Sequence, residues 1–134
     1  MVSKKIKLLI VDDEKDVCRF LGVLFRRRGF TVYTALSGKE AIKIARKAKP
    51  DMALLDIYLK KGMNGFQALR KIREFLPQCR CAMITWDKAE EKIREARHIG
   101  AVAYLTKPLT INELSKWVNK LVRQLKKKGG KSNG

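Results

Sequence analysis

Five short apolar runs with no polar face divide this chain, and a stretch of helical period follows each one. The runs are IKLLIV (6–11), TVYTAL (31–36), MALLDI (52–57), CAMITW (81–86) and AVAYLT (101–106). A strand open to solvent on one side alternates apolar and polar residues, whereas a strand covered on both sides does not. The intervening segments have their own stripes. Residues 14–28 align Val17, Phe20, Leu21 and Leu24, with Gly29 as the stop. Ser37, with Glu40 three positions on, reads as a capping box for a helix lined by Ala41, Ile44, Ala45 and Ala48, which Pro50 ends. Residues 65–75 turn Phe66, Leu69 and Ile72 inward. Asp87 is placed to cap residues 88–98, with Gly100 beyond. Thr110 and Glu113 open a last helix along Leu114, Trp117, Val118, Leu121, Val122 and Leu125.

Strands buried on both faces and alternating with helices predict an α/β domain, a doubly wound parallel sheet of five strands flanked by five helices. Residues 1–128 read as one domain and 129–134 as a flexible basic, glycine-rich tail. No further hydrophobic pattern follows, so no output domain is expected on this chain.

At 134 residues the chain can bury a core without staples. Cys18, Cys79 and Cys81 include no CxxC pair, so reduced thiols packed as small apolar groups are expected. His98 is the only histidine, which leaves histidine-based metal or nucleophile chemistry little to work with. No apolar run approaches the ~20 residues of a membrane span. The basic-then-apolar start meets acids too soon for an export signal, so a cytoplasmic location is expected. The formal charge of +18 suits a solvated cationic surface or an acidic partner.

In an open parallel sheet, ligands sit beyond the carboxyl ends of the strands, where strand order reverses. Those ends supply Asp12-Asp13-Glu14, Asp56, Thr85-Trp86-Asp87 and Thr106-Lys107-Pro108. Acids, a hydroxyl and a lysine would therefore meet at one rim. Crowded carboxylates repel unless a cation joins them, and an all-oxygen set suits magnesium.

The segments LLIVDDE, ALLDI, MIT and AYLTKP resemble, in order and spacing, the response-regulator receiver domain of two-component signalling, of the single-domain, chemotaxis-regulator-like kind. The resemblance runs from about Lys5 to Lys127 and implies a flavodoxin-like strand order of 2-1-3-4-5. It also implies that Asp56 accepts a phosphoryl group from a histidine kinase or phosphotransfer protein. Mg2+ would be held by Asp12, Asp13, Asp56 and the backbone carbonyl of Tyr58, with Asp12 acting mainly through water. Lys107 and Thr85 would pair with phosphoryl oxygens. Tyr104 would swing inward with Thr85, remodelling the face of helix 4, strand 5 and helix 5 for a downstream target or a second copy. The Lys107–Pro108 peptide is expected cis. Such a protein is a switch that catalyses only its own phosphorylation and dephosphorylation.

Some positions depart from the family pattern. Trp86 stands where a small residue is usual, either shielding the phosphoryl group or lying flat on the neighbouring helix. The loop IYLKKGMNG lacks a proline common in relatives and is about a residue longer than usual, and Leu109 replaces a frequent Phe. Tyr58, with Asp87, flanks the route of attacking water and is expected to tune phosphoryl lifetime.

Three further readings compete. A nucleic-acid-binding protein on this scaffold would use the net charge and Lys126–Lys128, but no helix-turn-helix, zinc ligands or RNA-reading aromatic motif accompanies them. A salt-dependent gel shift separates this reading from the switch. A phosphatase using an aspartyl intermediate would need an acid two residues after the nucleophile, where Tyr58 stands. The chain is also readable as a receiver domain cut from a larger regulator or hybrid kinase.

Overall fold

The computed structural model describes residues 5–131, with side chains as far as Leu125. Each apolar run becomes a strand: β1 Lys7–Val11, β2 Thr31–Ala35, β3 Met52–Leu55, β4 Arg80–Thr85 and β5 Ala103–Thr106. All pair in parallel in the order β2-β1-β3-β4-β5. The helices between and after them are α1 Lys15–Arg27, α2 Gly38–Ala48, α3 Gly65–Phe75, α4 Glu90–Ile99 and α5 Ile111–Lys131.

Strand side chains alternate between two cores, as the period of two requires. Leu9, Val11, Ala53, Leu55 and Met83 pack with α2, α3 and Ala96 of α4. Leu8, Ile10, Met52, Leu54 and Ile84 pack with α1 and α5. The thiols are free and buried, as expected. No helix among the described residues is long and apolar enough to cross a membrane.

Most expected helix signals operate. The Ser37 hydroxyl accepts from the Glu40 amide, while Glu40 reaches back to the Leu36 amide. Thr110 accepts from the Glu113 amide. Gly100 ends α4 at φ 111°, a conformation open to glycine at little cost.

Several expectations need correction. The buried stripe of α1 is Cys18, Leu21, Gly22 and Phe25, one position round from the expected one, and Phe20 is left 55% exposed. Asp87 does not cap α4: Ala89 holds that position without a side-chain bond, and the Asp87 carboxylate is used elsewhere. Strand β5 is shorter than its apolar run because the Gly100 and Ala101 amides close the end of α4 on the Ala96 carbonyl. Helix α5 continues to Lys131, past the boundary set at Lys128. Residues 132–134 of the expected tail lie outside the described residues.

Candidate functional site

The sheet ladder continues one step past its strands, and that step builds the site. The Asp12 amide donates to the Ala35 carbonyl at 3.1 Å, the Asp56 amide to Val11 at 3.0 Å, and the Lys107 amide to Thr85 at 2.8 Å. Because β1 and β3 are neighbours, Asp12 and Asp56 emerge side by side, at the point where the connections turn to opposite sheet edges. Lys107 reaches them from β5 across β4. Its Nζ lies 2.8 Å from Asp12 Oδ2 and 2.9 Å from Asp56 Oδ2, with Glu14 Oε1 at 3.9 Å.

These groups are buried. Asp12 and Thr85 are fully covered, and Asp56 and Lys107 nearly so. Burial pushes the Asp12 carboxyl above its ordinary 3.8, and the hydrogen bonds from Lys107 and the Glu14 amide only partly hold it back. Burial also opposes the Lys107 charge. Hydrogen bonds to Asp12 and Asp56 overcome that effect and raise its pKa above 10.5. The two shifts have opposite origins: burial raises Asp12 against the pull of Lys107, and the paired acids raise Lys107 against burial. Asp12, Asp13, Glu14 and Asp56 against Lys107 give the cluster a formal charge of −3 (−4 + 1).

One carboxylate oxygen each from Asp12, Asp13 and Glu14 lies within 4.8 Å of the others. An all-oxygen group with unneutralised charge fits a hard divalent cation by its donor chemistry. Glu14 was absent from the sequence-based ligand set. Its signal, the third acid of DDE, was visible but points to solvent as readily as to a metal. Asp56 stands outside this trio and is tied to Lys107. Asp13 Oδ2 also accepts the Lys60 amide at 3.0 Å, which fastens the β3–α3 loop to the β1 end.

Asp56 Oδ1 accepts the Tyr58 amide at 3.1 Å. Above it opens a cavity of about 540 Å³ lined by Asp13, Glu14, Tyr58, Leu59, Lys60, Asn64 and Trp86. The loop between is shaped by α3. Asn64 and Gln67 form a reciprocal capping box, a signal not read in the sequence. At Gly65 a Cβ would stand 1.9 Å from the Asp56 carbonyl oxygen, so only glycine fits.

Trp86 neither seals the cavity nor lies wholly on a helix. It is 62% exposed and forms a wall common to that cavity and an apolar groove of about 280 Å³ beside Val17, Phe20, Leu109 and Leu114. Thr85 Oγ1 is hydrogen-bonded to neither Asp56 nor Lys107. It accepts the Asp87 amide at 3.4 Å. Tyr104 is half-buried, and its hydroxyl donates to the Asp87 carbonyl at 2.5 Å. The Lys107–Pro108 peptide is cis.

The family model described as response regulator receiver domain matches residues 8–119. The chain is 31% identical over 114 residues to sporulation initiation phosphotransferase F of Bacillus subtilis, covering 85% of this chain and 91% of that protein. It is 32% identical over 118 residues to the alkaline phosphatase synthesis transcriptional regulatory protein PhoP of the same organism. That match covers 88% of this chain but 49% of PhoP. Among solved structures, the CheX–CheY–BeF3–Mg2+ complex from Borrelia burgdorferi contains a chain that superposes with a TM-score of 0.82 at 29% identity. The match covers 87% of this chain and 89% of that one.

Proposed function

The chain belongs to the response-regulator receiver family, and on that premise we propose that it is a cytoplasmic signalling switch that accepts a phosphoryl group on Asp56. The observation that supports this most is the Lys107 ammonium bound to both Asp12 and Asp56 beneath an open cavity.

An Asp56 carboxylate oxygen attacks phosphorus. The bond from phosphorus to the donor's imidazole nitrogen breaks, and the imidazole leaves with the electron pair. Transfer of this kind depends mostly on position and charge. The Tyr58 amide fixes one Asp56 oxygen and Lys107 the other, so the carboxylate is aimed before the donor arrives. As charge builds on the phosphoryl oxygens, Lys107 follows from Asp56 to the nearest of them. Thr85 supplies a hydroxyl once it leaves the Asp87 amide. Asp12, Asp13 and Asp56, with the Tyr58 carbonyl and with Glu14 in reach, would hold Mg2+. When bound, that ion neutralises the acids and the incoming phosphoryl charge. The related CheY of the Borrelia complex was solved with BeF3 and Mg2+, which supports carrying both over.

Movement of Thr85 and Tyr104 then alters the α4–β5–α5 face for a target protein, or for dimerisation there. The donor is a histidine kinase or phosphotransfer protein. Incubation with acetyl phosphate and Mg2+ is expected to yield a singly phosphorylated protein by mass spectrometry. Asp56→Asn or removal of Mg2+ with EDTA should abolish it. A label that survives Asp56→Asn contradicts the assignment.

A further inference from the structure

One residue, Asp87, is gripped from three directions. Its carboxylate Oδ2 accepts the Tyr58 hydroxyl, from a residue 29 positions earlier. Its carbonyl accepts the Tyr104 hydroxyl at 2.5 Å, and its amide donates to Thr85 Oγ1 at 3.4 Å. The other carboxylate oxygen accepts the Ala89 amide at 2.8 Å, which fixes the side chain to its own loop. Tyr58 is in turn joined through its amide to Asp56. A continuous path therefore runs from Asp56 through Tyr58 and Asp87 to both Thr85 and Tyr104.

Resting on the reading of Asp56 as phosphoacceptor and Tyr104 as the moving aromatic, we propose that the Tyr58–Asp87 hydrogen bond is a latch. It holds Thr85 and Tyr104 in the unphosphorylated arrangement. Thr85 cannot turn toward a phosphoryl oxygen without leaving the Asp87 amide. Holding the Asp87 carboxylate from the β3–α3 loop opposes movement of Asp87 with Thr85 and keeps its carbonyl in place for the Tyr104 hydroxyl. The phosphoryl group therefore works against the Tyr58–Asp87 bond, and its added charge acts on a carboxylate one tyrosine away. Tyr58 is 53% exposed, so water competes for its hydroxyl. A bond in such a setting biases two populations and does not lock either one.

Tyr58→Phe keeps the ring and the backbone and removes only the hydroxyl. Asp87→Ala removes the acceptor, whereas Asp87→Asn keeps one oxygen for the Ala89 amide and turns an NH2 toward the Tyr58 hydroxyl oxygen, which can accept from it. Each protein is titrated with beryllofluoride at fixed Mg2+, and Trp86 fluorescence is followed. Trp86 sits between Thr85 and Asp87 and is exposed, while Trp117 is buried in the core. Tyr58→Phe and Asp87→Ala are each expected to lower the half-saturating beryllofluoride concentration roughly fivefold. The double variant should go no further, because both changes break the same bond. Asp87→Asn, which keeps the Ala89 bond and only a neutral contact to Tyr58, should fall between the wild type and Asp87→Ala. Loosening of structure alone would shift the melting temperature without this matched, non-additive drop, and Tyr58→Phe suffices if Asp87→Ala does not fold. An unchanged midpoint in Tyr58→Phe, with a normal wild-type response, overturns the latch alone. Additive effects overturn it too. A wild type that does not respond to beryllofluoride overturns the switch reading, and the latch with it.

Discussion

At the scale of residues, the site is a balance between burial and pairing centred on Lys107. Its side chain is 8% exposed, and its ammonium serves two acids that are themselves covered. Removing one partner of a buried pair leaves a charge with nothing to offset its desolvation. Lys107→Ala is therefore expected to destabilise the protein by about 3 kcal/mol at neutral pH in urea unfolding without Mg2+. Saturating Mg2+ should recover much of this, since a ligand that binds only the folded state stabilises it by about 2.7 kcal/mol at a hundred times its Kd. The pH dependence has a definite sign. The pKa of Lys107 is raised in the fold, so its contribution is complete below 10.5 and is lost as pH rises through the folded value. Burial also lifts Tyr104 from 10.0 to about 12, so its contribution fades over that interval. Stability of the wild type should fall above pH 10, and Lys107→Ala should flatten the decline but leave the Tyr104 part. Asp12, also raised, contributes fully only below 3.8, so at neutral pH its charge is a standing cost that a divalent cation would reduce.

At the scale of elements, what was legible depended on whether a signal was local. The strand ends were readable because a run buried on both sides must stop where polar residues begin, and the carboxyl edge collects those stops. Asp12, Asp56, Thr85 and Lys107 were located that way. The α4 start was misread because Asp87 has a cap's chemistry, yet its carboxylate bonds to Tyr58 from another loop, which no local window reveals. The α1 stripe was misread by one position because Cys18 and Gly22 form the buried face, and neither registers as strongly apolar. The Asn64–Gln67 box was missed although its spacing was present. At the same turn, Gly65 lets α3 begin directly against the Asp56 carbonyl. Gly65→Ala should cost about 3 kcal/mol, the upper end of overpacking, and should displace the loop that aims Asp56. Denaturant unfolding and the acetyl phosphate labelling rate should fall together in that variant.

For the whole molecule, a five-stranded parallel sheet between two helical layers followed from the alternation of elements, and its strand order from the family resemblance. The distribution of charge did not. A chain with a formal charge of +18 carries an acid cluster of −3 around Asp56 and Lys107, opposite in sign to the molecule as a whole. That net charge favours approach of acidic partners and of anionic donors at low salt. The fold thus supplies two kinds of electrostatics, a long-range attraction outside and a cation-demanding site within. The central claim is that Asp56 becomes an aspartyl phosphate, and its most direct measurement is chemical trapping. The protein is treated with acetyl phosphate and Mg2+ and then with borohydride, which reduces an acyl phosphate to an alcohol, and its peptides are sequenced by mass spectrometry. Homoserine at position 56 and at no other acid is the expected result. Homoserine at Asp12 or Asp13, or phosphate retained on a serine, threonine or histidine with position 56 unmodified, would contradict it.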